Sequence, residues 1–200
     1  RALCSGDIPA AWQNAIVTLL GKKAGMEEIL ECTRPICLMA TAAKMVTGIW
    51  AYRLSNAAEQ RGVFEDAQEG FRPSRSTKRQ VVRLLSCLQA IRTRRGKAFV
   101  AFLDFENYFN TISLEALFHI LRACNLHEAD VSALERYYSE ARMQVRHADG
   151  SLSAKVKLSR GLRQGCPLSP VLGGLVVNVM IRGLAAIGGG TTHPSGARPN

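Results

Sequence analysis

The alternation of apolar and polar positions predicts strands in three parts of the chain. Apolar residues that favour strands dominate residues 15–23 and 97–105. Residues 143–158 hold two alternating segments separated by Asp149-Gly150, a dipeptide typical of hairpin turns. We therefore expect a strand that ends in two lysines, a second strand near the middle of the chain and a hairpin after it.

Apolar residues at intervals of three and four predict helices elsewhere. The helical regions are 38–54, 72–97, 113–124, 128–142 and 169–187. Two of these regions begin with an expected N-cap, Ser113 and Ser169, and Pro170 suits the first helical position. Strands and helices mix without a regular strand–helix–strand alternation, which favours the α+β class.

Composition limits the possible partners and compartments. The 200 residues carry a net charge of +10, which favours a polyanionic partner, although a basic protein without such a partner fits equally well. The six cysteines include no Cys-x-x-Cys pair, so we expect reduced thiols in an intracellular protein and no zinc site. The apolar run 171–187 is interrupted by Asn178 and Arg182, which predicts a core helix and no membrane span.

Positive charge is concentrated on one predicted helix. Nine basic residues and no acidic residue lie between Arg72 and Lys97. Arg75, Arg79 and Arg83 recur every four residues and therefore share one helix face. A solvated face is one interpretation, but charge without acidic neighbours along the helix favours contact with phosphates.

Asp104 stands at the end of the apolar segment 97–105, where a buried strand would ordinarily continue. An ionised carboxylate at such a place must be paired, solvated or bound to a metal ion. A structural salt bridge is one interpretation. The other is a ligand for Mg²⁺, which prefers carboxylate oxygens and also binds substrate phosphates.

Five segments of the chain resemble, in order, motifs of the reverse transcriptases. They are IPAAWQNAIVTLLGKK (8–23), TRPICLMATAAKMVTGIWAYRL (33–54), QEGFRPSRST (68–77), VAFLDFENYFNTIS (100–113) and GLRQGCPLSPVLGGLVVN (161–178). The likeness is to the enzymes of non-LTR retrotransposons, with group II intron enzymes as close relatives.

The resemblance implies a right-hand polymerase fold, of which the chain would supply the fingers and the first part of the palm. Residues 1–96 would form the fingers-like region, 97–187 a partial palm and 188–200 a loop or frayed end. The implied activity is RNA-directed DNA synthesis: a primer 3′-hydroxyl is extended with dNTPs on an RNA template, with two Mg²⁺ ions. The implied partners are therefore an RNA template, a DNA primer and dNTPs, with no membrane, in the nucleus and cytoplasm.

The resemblance also assigns roles to individual residues. Asp104 would be the catalytic metal ligand, assisted by the backbone carbonyl of Phe105. Phe109 would exclude a ribose 2′-hydroxyl, although an ordinary core phenylalanine is the alternative. The residues expected beside the nucleotide and its triphosphate are Lys22, Lys23, Arg34, Gln164 and Gly165. Those expected to hold the template backbone are Arg72, Arg75, Lys78, Arg79 and Arg83.

The chain departs from the family pattern in several places. Asn110 stands where a second aspartate is usual, Ser74 replaces a glycine, and Arg79 lies near a position that is often acidic. The two adjacent aspartates that supply the family's other metal ligands are absent, and we therefore expect this chain to be inactive alone. The alternative function is a non-catalytic nucleic-acid-binding remnant of a degraded or domesticated retroelement. An RNA-dependent RNA polymerase is disfavoured by Phe109.

Overall fold

The computed structural model describes residues 9–21 and 33–187. Within them, helices and strands alternate irregularly along the chain. The helices are α1 (Ala10–Gln13), α2 (Thr41–Gln60), α3 (Thr77–Thr93), α4 (Tyr108–Thr111), α5 (Leu114–Ala123), α6 (Glu128–Ser139) and α7 (Ser169–Ala186). The strands are β1 (Asn14–Gly21), β2 (Thr33–Met39), β3 (Arg142–Val145) and β4 (Val156–Lys157).

The four strands form one sheet in the order β2-β1-β3-β4. β1 pairs with β2 antiparallel, from Ala15 opposite Met39 to Gly21 opposite Thr33. It pairs with β3 in parallel, with Asn14 opposite Arg142. The predicted strand at 15–23 is confirmed as far as Gly21, and Lys22 and Lys23 lie outside the described residues. One mixed sheet flanked by helices agrees with the α+β class.

Three helices and the inner face of the sheet build the core. Ser113 caps α5 as predicted, since its hydroxyl accepts a hydrogen bond from the Ala116 N–H at 3.3 Å. The buried residues of this region are Leu117 and Leu121 of α5, Val131, Leu134, Tyr137 and Tyr138 of α6, Leu172 and Leu175 of α7, and Ala15, Val17 and Cys37 of the sheet. The buried residues of α5 and α6 recur at helical spacing, which is why the sequence pattern located these two helices well.

Helix α7 is long and apolar enough to span a membrane by length and composition, with a mean hydropathy of 1.5. The fold nevertheless uses it as a core helix, because seven of its residues are buried. Asn178, which interrupts the apolar run, accepts a hydrogen bond from the Glu65 N–H at 2.8 Å and donates one to the Val63 carbonyl at 2.9 Å. The core-helix prediction is confirmed. Ser169 is the first helical residue and its hydroxyl donates to the Arg163 carbonyl at 2.8 Å, so it is not the N-cap.

The predicted hairpin is present but shorter than its pattern. Met143 pairs with Val156 and Arg142 with Lys157, and a single bridge joins Arg146 to Leu152. The Asp149 side chain accepts hydrogen bonds from the Ser151 N–H and hydroxyl at 2.9 and 2.7 Å, which closes the turn. The Ser153 hydroxyl accepts from the Val145 N–H at 2.9 Å, so this side chain replaces one bond of the regular ladder.

The strand predicted at 97–105 is not formed. This segment has no regular secondary structure, and Phe99 and Phe102 are 97% and 86% exposed. A strand forms when a neighbour satisfies its backbone groups, and no described strand pairs with this segment. Strand propensity alone was therefore a poor guide here.

Helix α3 begins after Ser76, whose hydroxyl accepts a hydrogen bond from the Arg79 N–H at 3.3 Å. It ends through a left-handed residue at Arg95 (φ 53°), one position before Gly96. None of its residues is buried, and the apolar side chains of Val81 and Leu85 are 54% and 58% exposed. Apolar packing within the described residues therefore does little to hold α3 in place.

Candidate functional site

Three segments that are distant in sequence meet at the turn formed by residues 161–165. The Gly161 N–H donates to the Ile112 carbonyl at 2.8 Å, and the Leu162 N–H donates to the Phe109 carbonyl at 2.7 Å. The Cys37 N–H of β2 donates to the Gln164 carbonyl at 2.6 Å. Backbone hydrogen bonds therefore fix this turn against both α4 and the sheet.

Two glycines make this approach possible. Gly161 has φ 85°, and a Cβ added there would lie 2.7 Å from the Asn110 carbonyl oxygen. Gly165 has φ 111°, and its Cβ would lie 2.8 Å from the Cys37 carbonyl oxygen. An L-residue at either position would combine backbone strain with a collision against main-chain atoms.

The predicted nucleotide residues Gln164 and Gly165 lie on the outer side of this turn. The Gln164 Nε2 donates a hydrogen bond to the Asn110 Oδ1 at 3.1 Å, so the residue that departs from the family pattern contacts a predicted site residue. The side chains of Gln164 and Asn110 both border a cavity of about 360 Å³ between the turn and the sheet, and the other walls of this cavity are mostly apolar. A small polar edge on an apolar cavity is a common arrangement in ligand sites.

Phe109 lies half-buried beside this turn. Its ring packs at 5.3 Å from that of Tyr108 and at 6.2 Å from that of Phe71, measured between centroids. A Cβ on Gly173 of α7 would lie only 3.0 Å from Phe109. The Tyr108 hydroxyl donates to the Gly173 carbonyl at 2.6 Å, and burial raises the pKa of Tyr108 to about 12. Both aromatic rings of α4 are therefore held against α7.

Asp104 is exposed, and no hydrogen bond or ion pair to it is formed within the described part of the chain. The structural salt bridge considered for this carboxylate is therefore not seen there. The ring centroid of the neighbouring Phe105 lies 5.2 Å from that of Tyr108, the first residue of α4. This contact holds the segment that carries Asp104 close to the start of α4. Its carboxylate oxygens are free to bind an external group.

The fit of this site to a divalent cation is partial. A free carboxylate is a suitable ligand for Mg²⁺. However, no group of three potential metal-ligating side chains occurs among residues 9–21 and 33–187. Asp104 therefore fits as one ligand, and a complete set of metal ligands is not present in the described residues.

Arg34 is the second residue of β2, and Lys22 and Lys23 lie outside the described residues. The Arg34 side chain is exposed, whereas Thr33 and Cys37 of the same strand are buried. Arg34 is three residues from Cys37, and a strand advances by about 3.3 Å per residue, so their Cα atoms lie roughly 10 Å apart. The strand therefore carries an exposed cation near the turn that contains Gln164.

The arginine row consists of Arg75, which lies just before α3, and of Arg79 and Arg83 on the helix. It is not free of acidic neighbours, which corrects the sequence interpretation. Arg75 and Arg83 bind Asp66 at 2.8 and 2.9 Å, and Arg79 binds Glu69 at 3.3 Å. Both acids come from the loop before the helix, so a count along the helix alone could not find them. The hydrogen bond from Arg75, above all, lowers the pKa of Asp66. Lys78 is exposed and forms no salt bridge with a described residue.

The buried side chain of Arg72 stabilises the same loop before α3. Its guanidinium forms a bidentate pair with Glu59, both distances being 2.7 Å, and donates to the carbonyls of Glu65 and Gln68 at 2.8 Å each. The side chain is 5% exposed, and its hydrogen bond lowers the pKa of Glu59. The geometry gives Arg72 a clear structural role; the predicted template contact stays a prediction.

Comparison with known proteins places these features in a family. The model of the family described as reverse transcriptase (RNA-dependent DNA polymerase) matches residues 22–191. A Pol polyprotein from the type-1 retrotransposable element R2 of Popillia japonica is 26% identical over 94% of this chain. A 149 kDa protein of transposon TX1 from Xenopus laevis is 30% identical over 88%. A probable RNA-directed DNA polymerase from transposon BS of Drosophila melanogaster is 28% identical over 86%.

The chain spans only a part of these relatives, covering 26%, 13% and 18% of their lengths. The match nevertheless includes α4, the turn at 161–165 and the arginine row, all within residues 22–191. The relatives named above are proteins of non-LTR retrotransposons. The chain therefore belongs to the reverse transcriptase family, as its motifs predicted.

Proposed function

We propose that this chain is part of a longer RNA-directed DNA polymerase that extends a primer 3′-hydroxyl with dNTPs on an RNA template. The observation that carries the proposal is the meeting of three motif segments at one turn. The backbone bonds of residues 161–165 to Phe109, Ile112 and Cys37 bring three of the predicted nucleotide-binding residues, Phe109, Gln164 and Gly165, to this turn. The family membership and the names of the relatives support this function rather than that of a non-catalytic remnant.

We place the fingers in residues 1–96 and the first part of the palm in residues 97–187 of a right-hand polymerase fold. The sheet of β1 and β2 and the arginine row belong to the first region, and α4 to α7 belong to the second. The exposed apolar side chains of 97–105 suit a segment that becomes a palm strand once a partner strand covers it.

Asp104 is the proposed metal ligand, with the Phe105 carbonyl as a second oxygen donor. A divalent metal such as Mg²⁺, when bound, would activate the primer hydroxyl and stabilise the leaving pyrophosphate. Asp104 suits this role because its carboxylate is exposed and has no partner in the described residues. The adjacent aspartates of the family pattern do not occur in this sequence, so the remaining ligands would come from elsewhere in the longer protein.

The cationic residues are assigned to the phosphates of the substrates. Arg34, together with Lys22 and Lys23, would bind the dNTP triphosphate, since fixed positive charges match a polyanion at little reorganisation cost. Gln164 and Gly165 would lie against the nucleotide, and the lack of a side chain at Gly165 allows the turn to approach the Cys37 main chain that holds it there.

The arginine row would hold the template backbone without reading its bases. Lys78 is exposed, and Arg79 and Arg83 are 47% and 37% exposed despite their acidic partners. Three arginines share two carboxylates, so positive charge remains on this face. Arg72 and Arg75 are less accessible, and we expect them to stabilise the positions of the exposed cations on this face.

The decisive experiment is primer extension on an RNA template by the longer protein with Asp104→Asn. We expect this change to abolish dNTP incorporation, because the amide is a weaker metal ligand. Glu115→Gln is the matched control: it neutralises an exposed carboxylate on α5 that has no partner in the described residues. Equal incorporation by Asp104→Asn and the unaltered protein would contradict the metal assignment.

A further inference from the structure

Arg163 is the largest fully buried side chain of the described structure, at 1% exposure, and it directly precedes Gln164. Removing a guanidinium from water is costly, and no salt bridge within the described residues compensates for it. Its Nε has no hydrogen-bond partner in the structure. A methionine would fill a similar space without this cost, so the guanidinium must contribute something other than volume.

The guanidinium joins two elements on the inner side of the turn. Its Nη1 donates to the Tyr137 hydroxyl of α6 at 3.2 Å, and its Nη2 donates to the Gln13 carbonyl at the end of α1. The guanidinium carbon also lies 5.2 Å from the centroid of the Tyr137 ring. Because the fork is planar and rigid, these contacts fix the orientation of Arg163 more tightly than a flexible cation could.

The main chain of Arg163 is fixed as well. Its carbonyl accepts hydrogen bonds from the Ser169 hydroxyl at 2.8 Å and from the Cys166 N–H at 3.1 Å. The next residue faces the other way: the Gln164 amide reaches Asn110 at the exposed side of the turn. A fixed inner residue thus determines where the outer one lies.

We propose that Arg163 is a positioning residue, which holds the Gln164 side chain and its Asn110 partner in the geometry that receives the incoming nucleotide. This inference rests on the proposed polymerase function. It predicts that Arg163 affects dNTP binding through Gln164, without touching the nucleotide itself.

The test measures steady-state kinetics of primer extension by the longer protein with Arg163→Met, Arg163→Lys and Tyr137→Phe. We expect Arg163→Met to raise the KM for dNTP at least about tenfold, since small misplacements at an active site have large effects. Arg163→Lys should restore part of the loss, and Tyr137→Phe should give a smaller rise. The Kd for template–primer should not change. Arg160→Met, which removes an exposed charge beside the same turn, is the matched control.

A merely structural role is separated by a second series in a Gln164→Ala background. If Arg163 acts through Gln164, Arg163→Met should raise the dNTP KM no further in this background. The proposal would be overturned if Arg163→Met raised the dNTP KM by the same factor in both backgrounds. It would also be overturned if the variant lowered Tm and kcat and left the KM unchanged. If Arg163→Met does not fold, the same comparison is made with Tyr137→Phe, and an unchanged KM in that variant overturns it.

The Asp104→Asn variant and the unaltered longer protein distinguish the two levels of inference. If Asp104→Asn is inactive while the Arg163 and Tyr137 variants bind dNTP normally, the positioning role is wrong and the polymerase function stands. Full activity of Asp104→Asn would contradict only the metal assignment. A longer unaltered protein that incorporates no dNTP on an RNA template would overturn the proposed function and the positioning role with it.

Discussion

The half-buried ring of Phe109 raises the question of sugar selectivity at the scale of a single residue. Phe109 packs against Phe71 and lies close to Gly173, but it is not fully enclosed. If its exposed edge excludes a ribose 2′-hydroxyl, Phe109→Ala should allow the longer protein to incorporate rNTPs. The measurement is the ratio of kcat/KM for a dNTP and the matching rNTP.

The control for this variant is Phe71→Ala, which removes the neighbouring ring and keeps Phe109. An unaltered dNTP/rNTP ratio in Phe109→Ala would show that the residue is an ordinary core phenylalanine. A similar loss of selectivity in both variants would indicate that the position of the Phe109 ring, set by Phe71, contributes to the exclusion.

Gly173 gives a second prediction at this scale, because a Cβ there would lie 3.0 Å from Phe109 and 3.3 Å from Tyr108. Gly173→Ala should lower the free energy of unfolding by about 1–3 kcal/mol, as overpacking does in a core. Gly183→Ala on the same helix has no atom within 4 Å of the new Cβ and should stabilise by roughly 0.5–1 kcal/mol. Urea-induced unfolding measures both, and equal effects would contradict the packing seen around α4.

Single-residue assignments could be read from the sequence where a motif singles out a residue type. Asp104, Phe109, Gln164 and Gly165 were proposed in this way; the structure brings the last three to one turn, and their roles stay predictions. Arg163 was missed because a basic residue in a polar turn is typical of an exposed side chain. Only the tertiary contacts with Tyr137 and Gln13 reveal that it is buried.

At the scale of elements, α3 is attached to the rest of the molecule mainly through charge. No residue of this helix is buried, and its arginines bind Asp66 and Glu69 of the preceding loop. The Glu69 side chain is 5% exposed and lies within 3.5 Å of Arg75, Arg79 and Arg83. One nearly buried carboxylate therefore joins Arg79 and Arg83 of the helix to Arg75 just before it.

We predict that Glu69→Gln loosens this attachment. The neutral amide leaves Arg75, Arg79 and Arg83 with Asp66 as their only acidic partner among the described residues, and breaking an ion pair on one side is unfavourable. Amide hydrogen exchange in α3 should become at least about tenfold faster, while exchange in α5 and α6 stays unchanged. Glu128→Gln, which removes an exposed partner of Arg122 on another helix, is the control. Unchanged exchange in α3 would mean that other contacts hold the helix.

Elements were predictable wherever their own residues provided the stabilising contacts. The amphipathic helices α5 and α6 and the Asp149-Gly150 turn are local features, and the structure contains all three. The segment 97–105 was assigned wrongly because a strand depends on a partner that propensity does not describe. The acidic partners of the arginine row were overlooked for a related reason: they lie in a different element from the helix they neutralise.

At the scale of the whole molecule, apolar surface is distributed unevenly. Phe99, Phe102 and Leu103 are 97%, 86% and 73% exposed, and Val81 and Val82 of α3 are also exposed. In contrast, Leu117 and Leu121 are at most 1% exposed. Exposed apolar groups of this size are typical of surfaces that another segment or molecule covers. The proposed palm assignment identifies the cover as a strand of the longer protein.

This assignment makes a prediction that compares two lengths of chain. In the 200-residue chain, Phe99→Ser with Leu103→Ser should change the unfolding free energy by no more than about 0.5 kcal/mol, as expected of exposed positions. Leu117→Ala, the buried control, should cost about 2–5 kcal/mol. In the longer protein the same two serines should become destabilising, since residues 99 and 103 lie on one face of a strand and both side chains would then be buried beneath the palm sheet. Chemical denaturation of both lengths makes the comparison. If the serines are tolerated equally in the two, residues 97–105 do not join a sheet there and the palm assignment fails.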